Sequence, residues 1–195
     1  MAPRDEDAYR AALRDNLEEA VRMTDLIEDL LTLARADSGD DSLRFRPLDV
    51  ADCLRDAFSQ VKPLAAANRT DLRLDAGPGP MTVMGDGSAI RRLFLILIDN
   101  GIKYTPAGGL VSGSATCDGG DVTVEIRDSG IGITEADLPN IFERFYRADK
   151  VRTRKSGAGL GLSIAKCIAD SHGAAIDVRS SPGQGSTFRV RFRRL

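Results

Sequence analysis

Residues 122–132 read Val-Thr-Val-Glu-Ile-Arg-Asp-Ser-Gly-Ile-Gly. Val122, Val124 and Ile126 alternate with Thr123, Glu125 and Arg127, the period of a strand with one buried face. One more step of that period puts Asp128 on the apolar side. A carboxylate there needs a partner, because an unpaired buried charge is costly. The following Ser129-Gly130-Ile131-Gly132 lets another molecule come close to the backbone. The amino group of adenine suits such a carboxylate, whereas guanine presents a carbonyl at the same place and is repelled. The stretch equally fits a turn carboxylate that caps a short following helix. By itself, Asp-x-Gly-x-Gly leaves both readings open.

Working outward, Asp118-Gly-Gly-Asp121 is a hairpin signal joining this strand to one near Leu110 to Cys117. Before that, an apolar helix is predicted from about Gly87 to Tyr104, stopped by Thr105-Pro106. Asn100 falls three, four and seven residues after Leu97, Ile96 and Leu93, on the apolar side of that helix. It reads either as a core asparagine bonded to backbone or as an oxygen ligand for Mg²⁺, which favours few protein ligands plus phosphates. Lys103, one turn on, can reach a phosphate as a point charge or stand as an ordinary surface lysine.

On the other side, Gly157-Ala-Gly159-Leu-Gly161-Leu162 opens a helix predicted to run from about Leu160 to His172 and to stop at Gly173. Free N–H groups and the helix dipole favour an anion there. No Gly-Lys-Ser/Thr follows, so this is not a Walker loop, and the spacing is wrong for a dinucleotide fingerprint. A flexible linker is the bland alternative. The preceding loop carries Arg144, Arg147, Lys150, Arg152, Arg154 and Lys155, either a solvated face or a basic lid over triphosphate. Arg189, Arg191 and Arg193 alternate with Phe188, Val190 and Phe192 and read as the wet side of a terminal strand.

The ends complete the plan. Residues 7–36 carry the stripe Leu13, Leu17, Ala20, Thr24, Ile27, Leu31 and Ala34 and a second stripe Met23, Leu26, Leu30 and Leu33. A face that wide suits a helix inside a bundle. Asp37-Ser-Gly-Asp-Asp41 ends it as a hinge, and a helix is predicted over about 50–67 after Pro47. Short strands are expected at about 72–74, 81–84, 175–180 and 186–192. The apolar fraction, 42%, is enough for a core, and a formal net charge of −2 gives no general argument for nucleic acid or membrane binding. Three scattered cysteines read as reduced thiols of a cytosolic domain. No apolar run reaches the roughly 20 residues that span a bilayer, and the start has no hydrophobic signal region. A soluble fragment is the expectation.

The order of these features is more specific than any one of them. Asn100-Gly-Ile-Lys103-Tyr104 resembles the N box of bacterial sensor histidine kinases, and Asp128-Ser-Gly130-Ile-Gly132 their G1 box. Phe142-Glu-Arg-Phe145-Tyr-Arg147 resembles the F box, Gly157–Leu162 the G2 box, and Gly183-Gln-Gly185-Ser-Thr187-Phe the last glycine box. The likeness covers about residues 43–195. The first helix, with its Asp29-Leu-Leu-Thr-Leu-Ala-Arg-Ala-Asp ending, resembles the second helix of the dimerisation and phosphotransfer domain.

The resemblance implies an α/β two-layer sandwich of the Bergerat ATP-binding type. A mixed sheet packs on about three helices in residues 39–195, preceded by one long bundle helix in 1–38. It implies ATP and Mg²⁺ as cofactors, with Asp128 on adenine and Asn100 on the metal. Asn100, Lys103 and Arg147 form the implied catalytic set, the last two meeting phosphates. Gly130, Gly132, Gly157, Gly159 and Gly161 shape the pocket, with Tyr104, Ile133, Lys150, Leu160, Leu162 and Thr187 as further contacts. Residues 148–158 form the implied lid. Family members often carry another asparagine where this chain has Ile96.

The implied reaction is transfer of the γ-phosphoryl group to an imidazole nitrogen, then to an aspartate of a response regulator receiver domain. The acceptor histidine belongs to an H-box helix, of the same or the partner subunit, expected upstream of this chain. The single histidine, His172, reads as structural, at the far end of the helix that begins at the glycines. The expected setting is the cytoplasmic part of an inner-membrane sensor, a homodimer through residues 7–36, with no nucleic acid and no direct membrane contact. The alternatives are a chaperone-, gyrase- or mismatch-repair-type ATPase, an anti-sigma serine kinase and a nucleotide-sensing interaction module. The first usually has an acidic residue one turn before the asparagine, where Ile96 stands. The second lacks the bundle helix.

Overall fold

The computed structural model describes residues 6–38, 43–147 and 158–195. The chain divides into two units, Met1–Asp40 and Asp41–Leu195. The first is the helix α1 (Glu6–Ser38). On it Leu13, Leu17, Ile27 and Leu31 remain exposed, at 67%, 66%, 58% and 48%.

The second unit runs β1 (Arg46–Asp49), α2 (Val50–Asn68), β2 (Asp71–Asp75), β3 (Thr82–Gly85), α3 (Gly87–Tyr104), β4 (Leu110–Asp118), β5 (Asp121–Asp128), α4 (Gly161–Ser171), β6 (Ala175–Ser180) and β7 (Ser186–Arg193). A 3₁₀ turn, Leu138–Asn140, lies between β5 and α4. The main sheet has the order β2-β4-β5-β7-β6, and β1 pairs with β3 in a separate two-stranded ribbon. The β2–β4 pair is parallel and the other pairs of the main sheet are antiparallel. The sheet is therefore mixed, as expected.

Period-two burial fixes its faces. Val122, Val124 and Ile126 of β5, and Phe188, Val190 and Phe192 of β7, are buried toward the layer of α2, α3 and α4. Glu125 and Arg189 pair on the outer face, where the Arg189 side chain donates from Nε to Glu125 Oε1 at 2.7 Å. α3 is the central helix of the layer. Ile90, Leu93, Phe94, Leu97 and Ile98 are all fully buried, each contributing roughly 1.5–3 kcal/mol of burial. Its start is fixed by Asp86, whose Oδ1 accepts from Ser88 N at 2.9 Å and Ala89 N at 3.2 Å. Asp49 caps α2 in the same way, accepting from Ala51 N at 2.8 Å.

Most predicted elements lie within one or two residues of the observed ones. The strand β1 was not anticipated, because four residues with one partner are too short to show a period. The basic loop with Lys150, Arg152, Arg154, Lys155 and Gly157, and most of the expected lid, lie outside the described residues.

Candidate functional site

Asp128 closes β5 and is only 7% exposed. Its Oδ1 accepts from Gly130 N at 2.8 Å and from Ser186 N at 3.2 Å. The two readings of this residue thus merge: it is a turn carboxylate and also a buried one. Burial pushes its carboxyl up from the ordinary range, opposed by the hydrogen bonds from Gly130 and Ser186. Among the described residues no cation is one of the groups that act on it. One oxygen is spent on protein donors, and the second is left as an acceptor.

α3 is brought against this strand end by Gly101. A Cβ there would stand 3.2 Å from Val111 Cγ2 and 3.5 Å from the Asp128 Cβ. Glycine inside a helix costs about 1 kcal/mol relative to alanine, and here it permits the approach. The last turn of α3 is tied to the Asp128 loop by Ile131 N, which donates to Tyr104 O at 3.1 Å. Asn100 is half-buried next to Gly101, and its amide makes no side-chain hydrogen bond among the described residues. Lys103 is exposed, with Nζ 5.4 Å from the centroid of the Tyr104 ring.

The start of α4 completes the arrangement. A Cβ on Gly161 would stand 3.3 Å from Ile96 Cγ2 and 4.0 Å from Asn100 Nδ2, so the helix start faces the Asn100 amide. The N-cap is Leu160, which has no capping side chain. α2 and α3 each have an aspartate in that role, whereas α4 leaves its first N–H groups for an anion. Gly159 has φ +77°, and a Cβ there would stand 2.9 Å from Tyr146 O. The Gly159 carbonyl accepts from Phe145 N at 2.9 Å. The Phe142–Arg147 segment is thereby fastened to the glycines, and Arg147 is half-buried at its end.

A turn between β6 and β7 forms the remaining wall. Gly185 has φ +77°, and any Cβ would overlap the Asp128 carbonyl. Gly183 N donates to Ile131 O at 2.7 Å, and Ile133 N donates to the Ser180 hydroxyl at 2.8 Å.

The structure brings Asn100, Tyr104, Asp128, Gly130, Gly132, Ile133, Gly159 and Gly161 into one region. Leu160 is 1% exposed, so only its backbone is available to a ligand, and Leu162 is half-buried beside it. Lys150 and Gly157 lie outside the described residues. Thr187 pairs with Arg127 and Arg179 on the outer face of the sheet. Its neighbour Ser186 shares the buried face with Asp128. Sequence reasoning missed Gly101, Ser180 and Ser186. Ser186 was legible, because it is two residues before Phe188 in the same alternation.

A shallow depression of about 420 Å³, lined by Gly119, Asp121, Gly173, Arg191 and Arg193 among others, lies at the opposite end of β5 and holds no candidate residue. No cluster of three His, Cys, Asp or Glu suited to a metal occurs among the described residues.

His172 caps the far end of the eleven-residue α4, roughly 17 Å along the axis from its start. Its Nδ1 lies 2.7 Å from Ile168 O, and its Nε2 accepts from Asp86 N at 3.0 Å. Those partners fix the neutral ring with the hydrogen on Nδ1. Contact with the helix C-terminus, expected from the sequence, is thus made by a neutral imidazole.

The profile of the family described as "Histidine kinase-, DNA gyrase B-, and HSP90-like ATPase" matches residues 85–195, which include every candidate residue of the site. Sensor histidine kinase YkoH of Bacillus subtilis (strain 168) is 40% identical over 175 residues, covering 89% of this chain and 37% of that protein. Sensor-like histidine kinase SenX3 of Mycobacterium tuberculosis (strain ATCC 25618 / H37Rv) is 36% identical over 187 residues, covering 95% and 45%. The crystal structure of full-length ShkA in complex with AMPPNP matches with a TM-score of 0.82 at 27% identity, covering 100% of this chain and 40% of that one. The chain spans less than half the length of each of these relatives.

Proposed function

We propose that this chain, which belongs to the family of histidine kinase-, DNA gyrase B-, and HSP90-like ATPases and within it is an ATP-binding domain of the sensor histidine kinase type, binds Mg-ATP between α3, the Asp128 loop and the start of α4. The observation that carries the reading is the Asp128 carboxylate, buried with no cation beside it among the described residues, with one oxygen held by Gly130 N and Ser186 N and the other left to accept. An adenine amino group meets that need. The uncapped N-terminus of α4 supports a polyphosphate beside Asn100.

Phosphoryl transfer depends mainly on positioning and charge neutralisation. Asn100 holds Mg²⁺, and the metal, when bound, neutralises charge on the phosphate oxygens. Lys103 and Arg147 add positive charge toward the same group, with Lys150 and Gly157 as further contacts from the lid. The γ-phosphoryl group goes to a histidine on an H-box helix of the same or the partner subunit, then to an aspartate of a response regulator receiver domain. The exposed stripe of α1 joins two copies in a bundle. The natural setting is the cytoplasmic part of a membrane sensor. Among the described residues no helix is long and apolar enough to cross a membrane.

The test is incubation with γ-labelled ATP and Mg²⁺, with and without an added histidine-bearing bundle. The chain alone should gain no acid-labile label, and the bundle should gain it in trans. Acid-labile, alkali-stable label on the isolated chain, lost in His172→Gln, would overturn the acceptor assignment. Steady phosphate release with no bundle present would favour the clamp-type ATPases instead.

A further inference from the structure

Residues 142–147 lie against the first glycines of α4 in a strained form. Phe145 has φ +64°, the left-handed region, which is costly for a residue with a bulky side chain. Its ring is 61% exposed, so packing of the ring does not hold that conformation. Such strain persists only where the surroundings over-determine it, and it gathers at functional sites. Ties on two sides do so here. On one side, Phe145 N donates to Gly159 O at 2.9 Å. Gly159, itself at φ +77°, comes so close that a Cβ there would stand 2.9 Å from Phe145 C and from Tyr146 O. On the other side, the Tyr146 hydroxyl donates to Asp137 Oδ1 at 2.7 Å, across nine residues.

The Asp137 carboxylate reaches further. Its Oδ2 accepts from the Thr134 hydroxyl at 2.6 Å, and Asp137 N donates to Thr134 O at 3.0 Å. Thr134 follows Gly132 and Ile133 on the chain leaving Asp128, and Ile133 N donates to the Ser180 hydroxyl at 2.8 Å. Hydrogen bonds therefore run from the base side of the site, through Asp137 and Tyr146, to Gly159 on the phosphate side. The Thr134–Asp137 pair by itself is an ordinary turn before the 3₁₀ residues Leu138–Asn140. The Tyr146 bond is different. It is not local, it comes from a half-buried ring, and it ends one residue before the half-buried Arg147.

We propose that Tyr146 and Asp137 are positioning residues for the triphosphate, their hydrogen bond holding Arg147 where its guanidinium meets the terminal phosphate of ATP. This rests on the reading of Arg147 as a phosphate contact. A guanidinium makes its paired hydrogen bonds to a phosphate only from a defined place and orientation. Its stem is long, so the backbone it leaves from has to be fixed. Without the Tyr146 tie, Phe145 can relax toward the ordinary negative-φ regions, and rotation about that bond swings the origin of Arg147. The N–H groups at the start of α4 are part of the helix and stay where they are. Seating of the base and inner phosphates should therefore survive loss of the tie, while the contribution of the terminal phosphate falls. The acceptor need not be charged, because asparagine at 137 offers Tyr146 the same kind of oxygen.

The experiment is calorimetric titration of the whole chain with Mg²⁺ and either ADP or the ATP analogue AMPPNP. It compares the wild type with Arg147→Ala, Tyr146→Phe, Asp137→Ala, Asp137→Asn and the double variant Tyr146→Phe with Arg147→Ala. The ratio of the two affinities isolates the terminal phosphate. Arg147→Ala should lower the ratio about tenfold, the loss of a hydrogen bond to a charged group. Tyr146→Phe and Asp137→Ala should lower it in the same direction with ADP affinity unchanged, and Asp137→Asn should restore it. The double variant should fall no further than Arg147→Ala alone. A purely structural tie would weaken both nucleotides together and add to the effect of Arg147→Ala. That result, or an unchanged ratio in Tyr146→Phe, overturns the positioning role and leaves Arg147 assigned to the phosphate. A ratio untouched by Arg147→Ala instead overturns the phosphate reading of Arg147, and the positioning role with it. Should Tyr146→Phe fail to fold, the contrast between Asp137→Ala and Asp137→Asn decides alone.

Discussion

Replacing Asp128 by asparagine separates recognition from stability, because the two should move in opposite directions. Asparagine keeps a carbonyl oxygen for Gly130 N and Ser186 N, now held at 2.8 and 3.2 Å. Its NH₂ then stands where the second carboxylate oxygen stood, donor facing donor against an adenine amino group. A hydrogen bond to a charged group is worth roughly 1.5–3 kcal/mol, so ADP affinity should fall about ten- to a hundredfold. Stability behaves otherwise. Burial raises the Asp128 pKa, so the ionised form is less favourable in the folded chain than in the unfolded one. Such a group stabilises the fold only at low pH, and that contribution is lost as pH rises through the raised folded value. At neutral pH the charge is a cost that asparagine removes. The apo variant should therefore unfold at the wild-type temperature or above it. Calorimetric titration with ADP and GDP, paired with thermal unfolding in the absence of nucleotide, measures both quantities. Unchanged ADP affinity refutes the assignment of Asp128 to the base. A loss of affinity accompanied by a lower unfolding temperature refutes the argument that the carboxylate is held for recognition at the expense of stability.

Asn100→Ala should abolish the Mg²⁺ dependence of ATP binding while circular dichroism shows an intact fold, since the buried face of α3 is unchanged; magnesium that still tightens ATP places the ligand elsewhere. His172 should make stability pH-dependent. Burial lowers its pKa below 6.5, against the opposing effects of Ile168 and Asp86. Its contribution is complete above 6.5 and is lost as pH falls from there through the depressed folded value. Denaturant unfolding of His172→Gln should lose this slope, and an identical slope in both proteins would exclude the neutral ring as its source. Asp86, held down to about 2 by hydrogen bonds from Ser88, Arg44 and Ala89 that outweigh its burial, contributes stability that is lost as pH falls from 3.8 through that value. The exposed Leu13, Leu17, Ile27 and Leu31 should drive self-association, each forgoing roughly 1.5–3 kcal/mol of burial when left in water. Sedimentation should show dimers that Leu17→Glu with Leu31→Glu dissociates, and a strict monomer at high concentration in the parent chain would count against that face.

Local patterns made much of this molecule legible. The alternation Val122, Val124, Ile126 placed Asp128 on the buried face because a strand's side-chain period is set by the strand's own backbone. The same alternation in Phe188, Val190 and Phe192 assigned Ser186 to that face and Thr187 to the arginine side. The expectation for Thr187 follows the motif instead of the period, and in the sheet Thr187 stands opposite Arg127. Apolar spacing and Thr105-Pro106 fixed α3, and the lack of a capping side chain before Gly161 could have been read beforehand. Other features belonged to the tertiary structure. β2 pairs in parallel with β4 across the whole of α3, and β1 exists only through β3. Neither pairing leaves a trace in a few neighbouring residues, because each is chosen by which distant surfaces bury together. Gly101 shows why the distinction matters. By itself it is an unfavourable residue in a helix. Only the packing of α3 on Val111 and Asp128 gives it a purpose, and the hydroxyls of Ser180 and Ser186 meet because two separate strands come into register.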